Sequence, residues 1–315
     1  MSWILFLTLV ILLLSIDLLV LHKKGTTINN KKAAVETIFW ISVALLFSGA
    51  VFWIYQNDKI ANINALSPTD AAIKYITGYL IELSLSVDNL FVIAMVFASY
   101  KIPLAYQHRA LFWGIIGAIV FRGLAIWGGA ILIQKVSWMT YIFGAFLLFT
   151  AFKMLENTDE EESESKLTKK INQWFNISKE LDGEKFFTLK NGKKVATPLF
   201  AALMVIELSD ILFALDSIPA ILAVTTDPFL VFSSNIFAIL GLRSMYFFLA
   251  NMLEKFHYLK YSVFAILLFV SIKLLSIHFV HFPEWFSLLF IGIALLMGVI
   301  VSLEKMTKNH SSSNV

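Results

Sequence analysis

Residues 205–221 read VIELSDILFALDSIPAI. The stretch is apolar at most positions, and its flanks TPLFAALM and LAV are apolar too, yet it carries Glu207, Asp210, Asp216 and Pro219. About 20 such residues are enough to cross the hydrocarbon of a bilayer as a helix. Carboxylates in such a helix are expensive, so they call for a functional reason.

The rest of the chain agrees with a membrane setting. It has 315 residues, 58% of them hydrophobic and 15% charged, and a mean hydropathy of +0.77. A soluble domain of this size would need far more polar surface. The formal charge of +3 gives no sign of a nucleic-acid partner. There is no Cys, which excludes disulfides, thiolate metal sites and dithiol redox chemistry carried by the protein itself. The opening MSWILFLTLVILLLSIDLLVLHKK places its basic cluster after the apolar run and lacks an A-x-A site. It is expected to be a retained span, not a signal peptide.

Nine segments have the length and composition of spans: 3–21, 35–55, 72–98, 108–134, 137–155, 198–222, 229–252, 259–280 and 284–303. The expected fold is therefore an all-α polytopic membrane protein, a single membrane domain over 1–315. Loops on one side hold Lys23, Lys24, Lys31, Lys32, Lys101, Arg109, Lys255, Lys260, Lys305 and Lys308, against Lys59, Lys74 and Lys135 on the other. The lysine-rich side is expected to be cytoplasmic, with the N-terminus outside and the C-terminus inside. The expected location is a bacterial inner (plasma) membrane. The long polar segment 156–197 is then a cytoplasmic loop. It opens on the acidic run ENTDEEESE and ends in KFFTLKNGKKVATP, where Asn191-Gly192 between two strand-like runs predicts a short β-hairpin.

Segments 120 residues apart match. TYIFGAFLLFTAFKML (140–155) aligns with KYSVFAILLFVSIKLL (260–275), with Tyr141/Tyr261, Phe149/Phe269 and Lys153/Lys273 among the identities. Arg122 and Arg243 fall at nearly the same offset, and IELSLSVDNL (81–90) echoes IELSDILFALDSI (206–218). Apolar helices resemble one another by composition, but that does not produce matched Glu, Arg and Lys. Spans 3–5 thus repeat as spans 6–8, in units of about 72–155 and 198–280. Three helices per unit make the second inverted, an architecture in which transporters place an ion site at the repeat interface. Two alignments stay open: the shared I-E-L-S pairs Glu82 with Glu207, whereas alignment on the later acid pairs Asp88 with Asp216 and Glu82 with Asp210.

The acids form a constellation. Glu82, Ser86 and Asn89 share one helix face at i, i+4 and i+7, with Asp88 at its edge, and Glu207 and Asp210 are neighbours at i, i+3. Each intramembrane acid costs about 2.5–3.5 kcal/mol on insertion scales. Pro219 removes a helix donor, so a break beside Asp216 would free a carbonyl for an ion. Arg122 and Arg243 are the counter-charges and are expected to balance or gate the site. Five carboxylates against two arginines leave an excess of negative charge, which suits a divalent cation plus exchangeable protons better than a closed salt-bridge network. Asp17 in the first span adds to that excess and is placed to line the cytoplasmic entrance. Lys153 and Lys273 sit near helix ends and are expected to snorkel. Carboxylates, Asn, Ser and a backbone carbonyl are hard oxygen ligands suited to Mn²⁺, Mg²⁺ or Ca²⁺.

Four motifs resemble one family. GYLIELSLSVDNLFVIAMVF, HRALFWGIIGAIVFRG, YIFGAFLLFTAFKM and ELSDILFALDSIPAILAVTTDPFLVFSSNIFAILGLRSMYF are similar to the TerC family, closest to its Alx-like branch, over residues 35–305. The resemblance implies a nine-span inner-membrane protein of metal homeostasis, with several members linked to manganese efflux. It places the family's acidic positions on Glu82, Asp88, Glu207, Asp210 and Asp216, and it is the resemblance that selects manganese among the hard divalent ions. The expectation is a non-enzymatic exporter of manganese(II), held between spans 3 and 6, with Mn²⁺ as cargo and no organic cofactor. The rival is a membrane scaffold that assists metal loading of exported proteins, with a protein partner at the 156–197 loop. An intramembrane aspartyl protease is disfavoured, because G-x-G-D is absent around Asp88, Asp210 and Asp216. Nothing in the sequence specifies the oligomeric state.

Overall fold

A computed structural model of the chain describes residues 2–17, 30–62, 64–135, 138–155, 177–178, 180–190, 193–249, 259–276, 279 and 283–312. Among these are nine α-helices: α1 (Ser2–Ile16), α2 (Asn30–Gln56), α3 (Pro68–Ser99), α4 (Leu104–Lys135), α5 (Met139–Leu155), α6 (Pro198–Leu222), α7 (Pro228–Leu249), α8 (Leu259–Leu275) and α9 (Glu284–Ser312). Each coincides with one of the apolar segments of the sequence. Five contain stretches long and apolar enough to cross a membrane: Lys31–Gln56, Leu104–Gly129, Pro198–Leu222, Pro228–Phe248 and Trp285–Ser302.

Several helix starts are written in the sequence as a capping residue followed by proline. Ser67 caps α3, its Oγ accepting from the Asp70 amide at 3.1 Å, ahead of Pro68. Thr197 caps α6 ahead of Pro198. Asp227 precedes Pro228, and its Oδ1 accepts from the Phe229 and Leu230 amides at 3.0 and 3.3 Å. Proline lacks the N–H that the first turn would leave unpaired, and the side-chain oxygen satisfies one of the others.

The molecule is apolar outside and polar within. Leu5, Leu46, Trp53, Leu124, Trp127, Phe149 and Leu296 stand exposed on several helices. Glu82, Ser86, Asn89, Arg122, Asp210, Asn235 and Arg243 are buried. An exposed apolar surface of this extent is one that lipid covers. α7 is the innermost of the five long apolar helices, with 89% of its most apolar window buried against 22% for α2 and α9. It packs on α2, α3 and α4, while α6 packs on α3 and α4, and α5 packs on α8. At the α3–α7 crossing Gly78 admits Ser234: a Cβ there would lie 2.9 Å from the Ser234 Oγ. Small residues of this kind let membrane helices approach closely.

Two expectations are corrected. α6 is not broken at Pro219: it runs through the proline to Leu222. The proline lies in the last turn, so only the carbonyl of Leu215 loses its donor there. Lys273 does not snorkel out; it is buried, and its Nζ donates to Ser287 Oγ of α9 at 3.1 Å. The Lys153 side chain lies outside the described residues.

Ahead of α6, β1 (Phe187–Lys190) pairs antiparallel with β2 (Lys193–Ala196), with Lys190 opposite Lys193. Residues 191 and 192 connect them and lie outside the described residues, as does the acidic run 156–164.

Candidate functional site

α3, α4, α6 and α7 meet around one guanidinium. Arg122 of α4 is buried and reaches three helices. Its Nη1 pairs with Glu82 Oε1 of α3. Its Nε and Nη2 hold both oxygens of Asp210 of α6, at 3.2 and 2.7 Å. Its Nη1 also donates to Asn235 Oδ1 of α7 at 3.1 Å. Asn89 of α3, two turns along from Glu82, donates from Nδ2 to Asp210 Oδ1 at 2.9 Å. The planar fork of arginine suits such a two-pronged carboxylate contact, which a lysine could not make.

Glu207 lies one turn before Asp210 on α6, and its carboxylate rests against the backbone of α4 at Gly117. A Cβ at Gly117 would overlap both oxygens, so only glycine leaves that room. The Oε2 of Glu207 is buried with no hydrogen-bond partner among the described residues. The same holds for Glu82 Oε2, Asn89 Oδ1, Ser86 Oγ, Ser209 Oγ and Ser217 Oγ. Buried oxygens without donors are costly and uncommon in folded proteins. The side chains of Asp88 and Asp216 lie outside the described residues. Among the described residues, no three His, Asp or Glu side chains gather closely enough to hold a metal ion by themselves. At the meeting point of Glu82 and Asp210 the positive charge is supplied by Arg122.

Arg243 lies elsewhere. Its Nη2 pairs with Asp17 Oδ2 at 2.7 Å and donates to the Asp17 carbonyl at 3.0 Å. Both residues are buried, and Glu36 of α2, also buried, is within electrostatic reach of both. Asp17 is thus an interior ion-pair partner of α7.

The two polar clusters are ordered along α7. Asn235, Ile239 and Arg243 fall at i, i+4 and i+8, on one face and spanning about 12 Å of helix. Ile239 packs with Ile115 and Ala118 of α4, and Leu14 and Ile119 close on the same cluster. α4 follows the same order, with Ile115 and Ala118 at one level and Arg122 one turn on. α1 places Leu14 in the apolar layer one turn before Asp17. The result is a polar layer at Arg122, an apolar layer at Ile239 and a second polar layer at Arg243.

Sequence reasoning missed Asn235, Gly117 and Glu36. Asn235 had a signal in the polar run Ser233-Ser234-Asn235 inside an apolar span. Glu36 had one as an acid one turn after Lys32, to which it pairs at 3.7 Å. Gly117 had none, since its role depends on which helix Glu207 faces.

The model of the integral membrane protein TerC family matches residues 67–311. An uncharacterized membrane protein of Myxococcus xanthus, STKORF319, is 45% identical over 86% of this chain and 82% of its own length. A putative membrane-bound redox modulator, Alx, of Escherichia coli K12 is 43% identical over 96% of this chain and 91% of its own. A membrane protein of Rickettsia bellii is 42% identical over 96% and 97%. No solved structure matches.

Proposed function

The chain belongs to the TerC family of integral membrane proteins, and we propose that it carries a hard divalent cation, most directly manganese(II), out of the cell. The cation binds between α3 and α6. The observation that carries this reading is the pairing of Glu82 and Asp210 on one tethered cation, Arg122, together with six buried oxygens on α3 and α6 that have no hydrogen-bond partner among the described residues. Oxygens left bare by the protein's own donors suit a ligand that only accepts lone pairs, which is a metal ion.

Arg122 is then a resident counter-ion. When the cargo arrives, it takes over the Glu82 and Asp210 carboxylates, and Arg122 turns aside toward Asn235. Glu207, Ser86, Ser209 and Asn89 are close in sequence to those two acids and supply further oxygen. Asp88 and Asp216 are assigned to the same site by their place in the repeat. The three carboxylates of Glu82, Asp210 and Glu207 balance a divalent cation plus the retained Arg122, and protonation of a carboxylate on release would couple efflux to proton entry. The layer at Ile239 separates this site from Asp17, Glu36 and Arg243, and acts as the barrier between the cytoplasmic entrance and the cation site.

The reading includes nine spans, with the N-terminus outside, and an inverted repeat. The packing supports the repeat: α3 packs on α6, α4 on α7 and α5 on α8, each helix against its repeat counterpart. The joint hold of Arg122 on Glu82 and Asp210 favours the alignment that makes those two acids counterparts. The redox modulator in the name of the Escherichia coli relative is compatible with metal export, since manganese itself affects redox balance while this chain has no Cys. The test is manganese content of cells expressing the wild type, Asp88→Asn or Asp216→Asn. The wild type lowers cellular manganese and the variants do not. Equal lowering by all three removes these acids from the site.

A further inference from the structure

The β1–β2 hairpin carries an apolar, basic face that the transport reading does not use. Side chains alternate along strands, and Phe187 faces Ala196 while Leu189 faces Lys194. Phe187, Leu189 and Lys194 therefore share one face of the hairpin. Leu189 is 77% exposed and Phe187 40%. The Phe187 ring lies 4.7 Å from that of Phe200, in the first turn of the long apolar helix α6. The face thus begins at the level where a spanning helix enters the bilayer, and Leu189 continues it about 7 Å along the strand.

Charge is divided along the hairpin. At its base the acids are engaged. Asp182 accepts from Thr188 Oγ1 at 2.9 Å and from Lys185 Nζ at 3.1 Å, and these contacts hold its carboxyl below the usual carboxylate range. Glu184 pairs with His108 at 3.7 Å, and Arg109 lies over Phe186, so the base is fixed to α4. The tip is basic: Lys190, Lys193 and Lys194, with the Lys194 ammonium 4.7 Å from the Phe187 ring centre. An exposed leucine paired across the strands with Lys194, with Lys190 and Lys193 at the turn just beyond it and next to the start of a span, matches the interfacial zone of a membrane, where apolar side chains enter and ammonium groups meet phosphates.

We propose that this face is a lipid anchor: Leu189 and Phe187 dip into the bilayer interface while Lys190, Lys193 and Lys194 bind anionic phospholipid headgroups. It fixes the start of α6, which carries Glu207 and Asp210, at a set depth. The acidic run 156–164 is the competing occupant for the lysines, but it contains no apolar side chain to cover Leu189.

The chain has no Cys, so Leu189→Cys gives a single spin-labelling site in the full-length protein. The labelled protein is placed in nanodiscs of phosphatidylcholine alone or mixed with phosphatidylglycerol. Collision rates with oxygen and with a nickel chelate are compared. Expected is a severalfold higher oxygen-to-nickel ratio in the phosphatidylglycerol discs, abolished by Lys190→Gln, Lys193→Gln and Lys194→Gln together. The proposal is overturned if Leu189→Cys is equally nickel-accessible in both discs. It is also overturned if the label is equally shielded in both, or if shielding disappears on deletion of 157–164, since either outcome identifies protein as the cover.

Discussion

Arg122 grips Asp210 with two nitrogens, Nε to Oδ2 at 3.2 Å and Nη2 to Oδ1 at 2.7 Å, at a point buried among four helices. The same guanidinium pairs with Glu82, so one cation joins the two helices of the proposed ion site. Its loss strands two acids in the interior.

Removing one member of such a buried group is expected to cost about 3–5 kcal/mol, because an uncompensated charge remains. Arg122→Gln should lower the thermal unfolding midpoint in detergent, and Arg122→Gln with Asp210→Asn should recover part of the loss. Additive losses in the double variant would mean that the contact is energetically idle.

If Arg122 holds the place of the cargo, its removal also frees the acids for metal. Arg122→Gln should be stabilised more by added Mn²⁺ than the wild type, while transporting it more slowly. Arg122→Lys keeps the charge but loses the fork, and should fall between the two. Equal stabilisation by Mn²⁺ in wild type and Arg122→Gln would show that arginine and metal do not compete.

Gly117 gives a test that leaves every charge in place. Gly117→Ala puts a methyl into the space of the Glu207 carboxylate and should abolish transport. Overpacking of this kind typically costs about 1–3 kcal/mol, so the fold should survive. Gly114→Ala is the control: its Cβ would meet Ile206 Cγ2 at an ordinary 3.7 Å, and transport should persist. Equal transport by both variants would remove Glu207 from the site.

The layer at Ile239 predicts a leak. Ile239→Ser should let proteoliposomes lose an imposed pH gradient faster than wild type, because a hydroxyl joins the polar layers at Asn235 and Arg243. An unchanged gradient would place the barrier elsewhere.

The sequence carried much of this arrangement in local signals. Span composition located each of the nine helices, since a helix satisfies its own backbone wherever it meets lipid. Periodicity put Glu82 and Asn89 on one face, and both now reach Arg122 or its partner. What a helix wheel does not contain is the partner across the gap. Arg122 and Arg243 fall at nearly the same offset in the two matching segments and read as equals, yet Arg122 joins α3 to α6 while Arg243 meets Asp17. The difference comes from the end of α1, where Asp17 reaches Arg243 of α7. Gly117 was silent for the same reason: its meaning depends on a neighbour more than 80 residues away. The proline at 219 misled because a proline near the end of a helix removes one bond without breaking the helix.

The central claim, that Glu82 and Asp210 bind the transported cation, is tested most directly by Mn²⁺ flux into proteoliposomes across a pH gradient, comparing wild type with Glu82→Gln and Asp210→Asn. The account predicts Mn²⁺ movement by the wild type, dependent on the gradient, and loss of it in both variants while each remains folded. Wild-type flux in either variant, or no Mn²⁺ movement by the wild type, would contradict it.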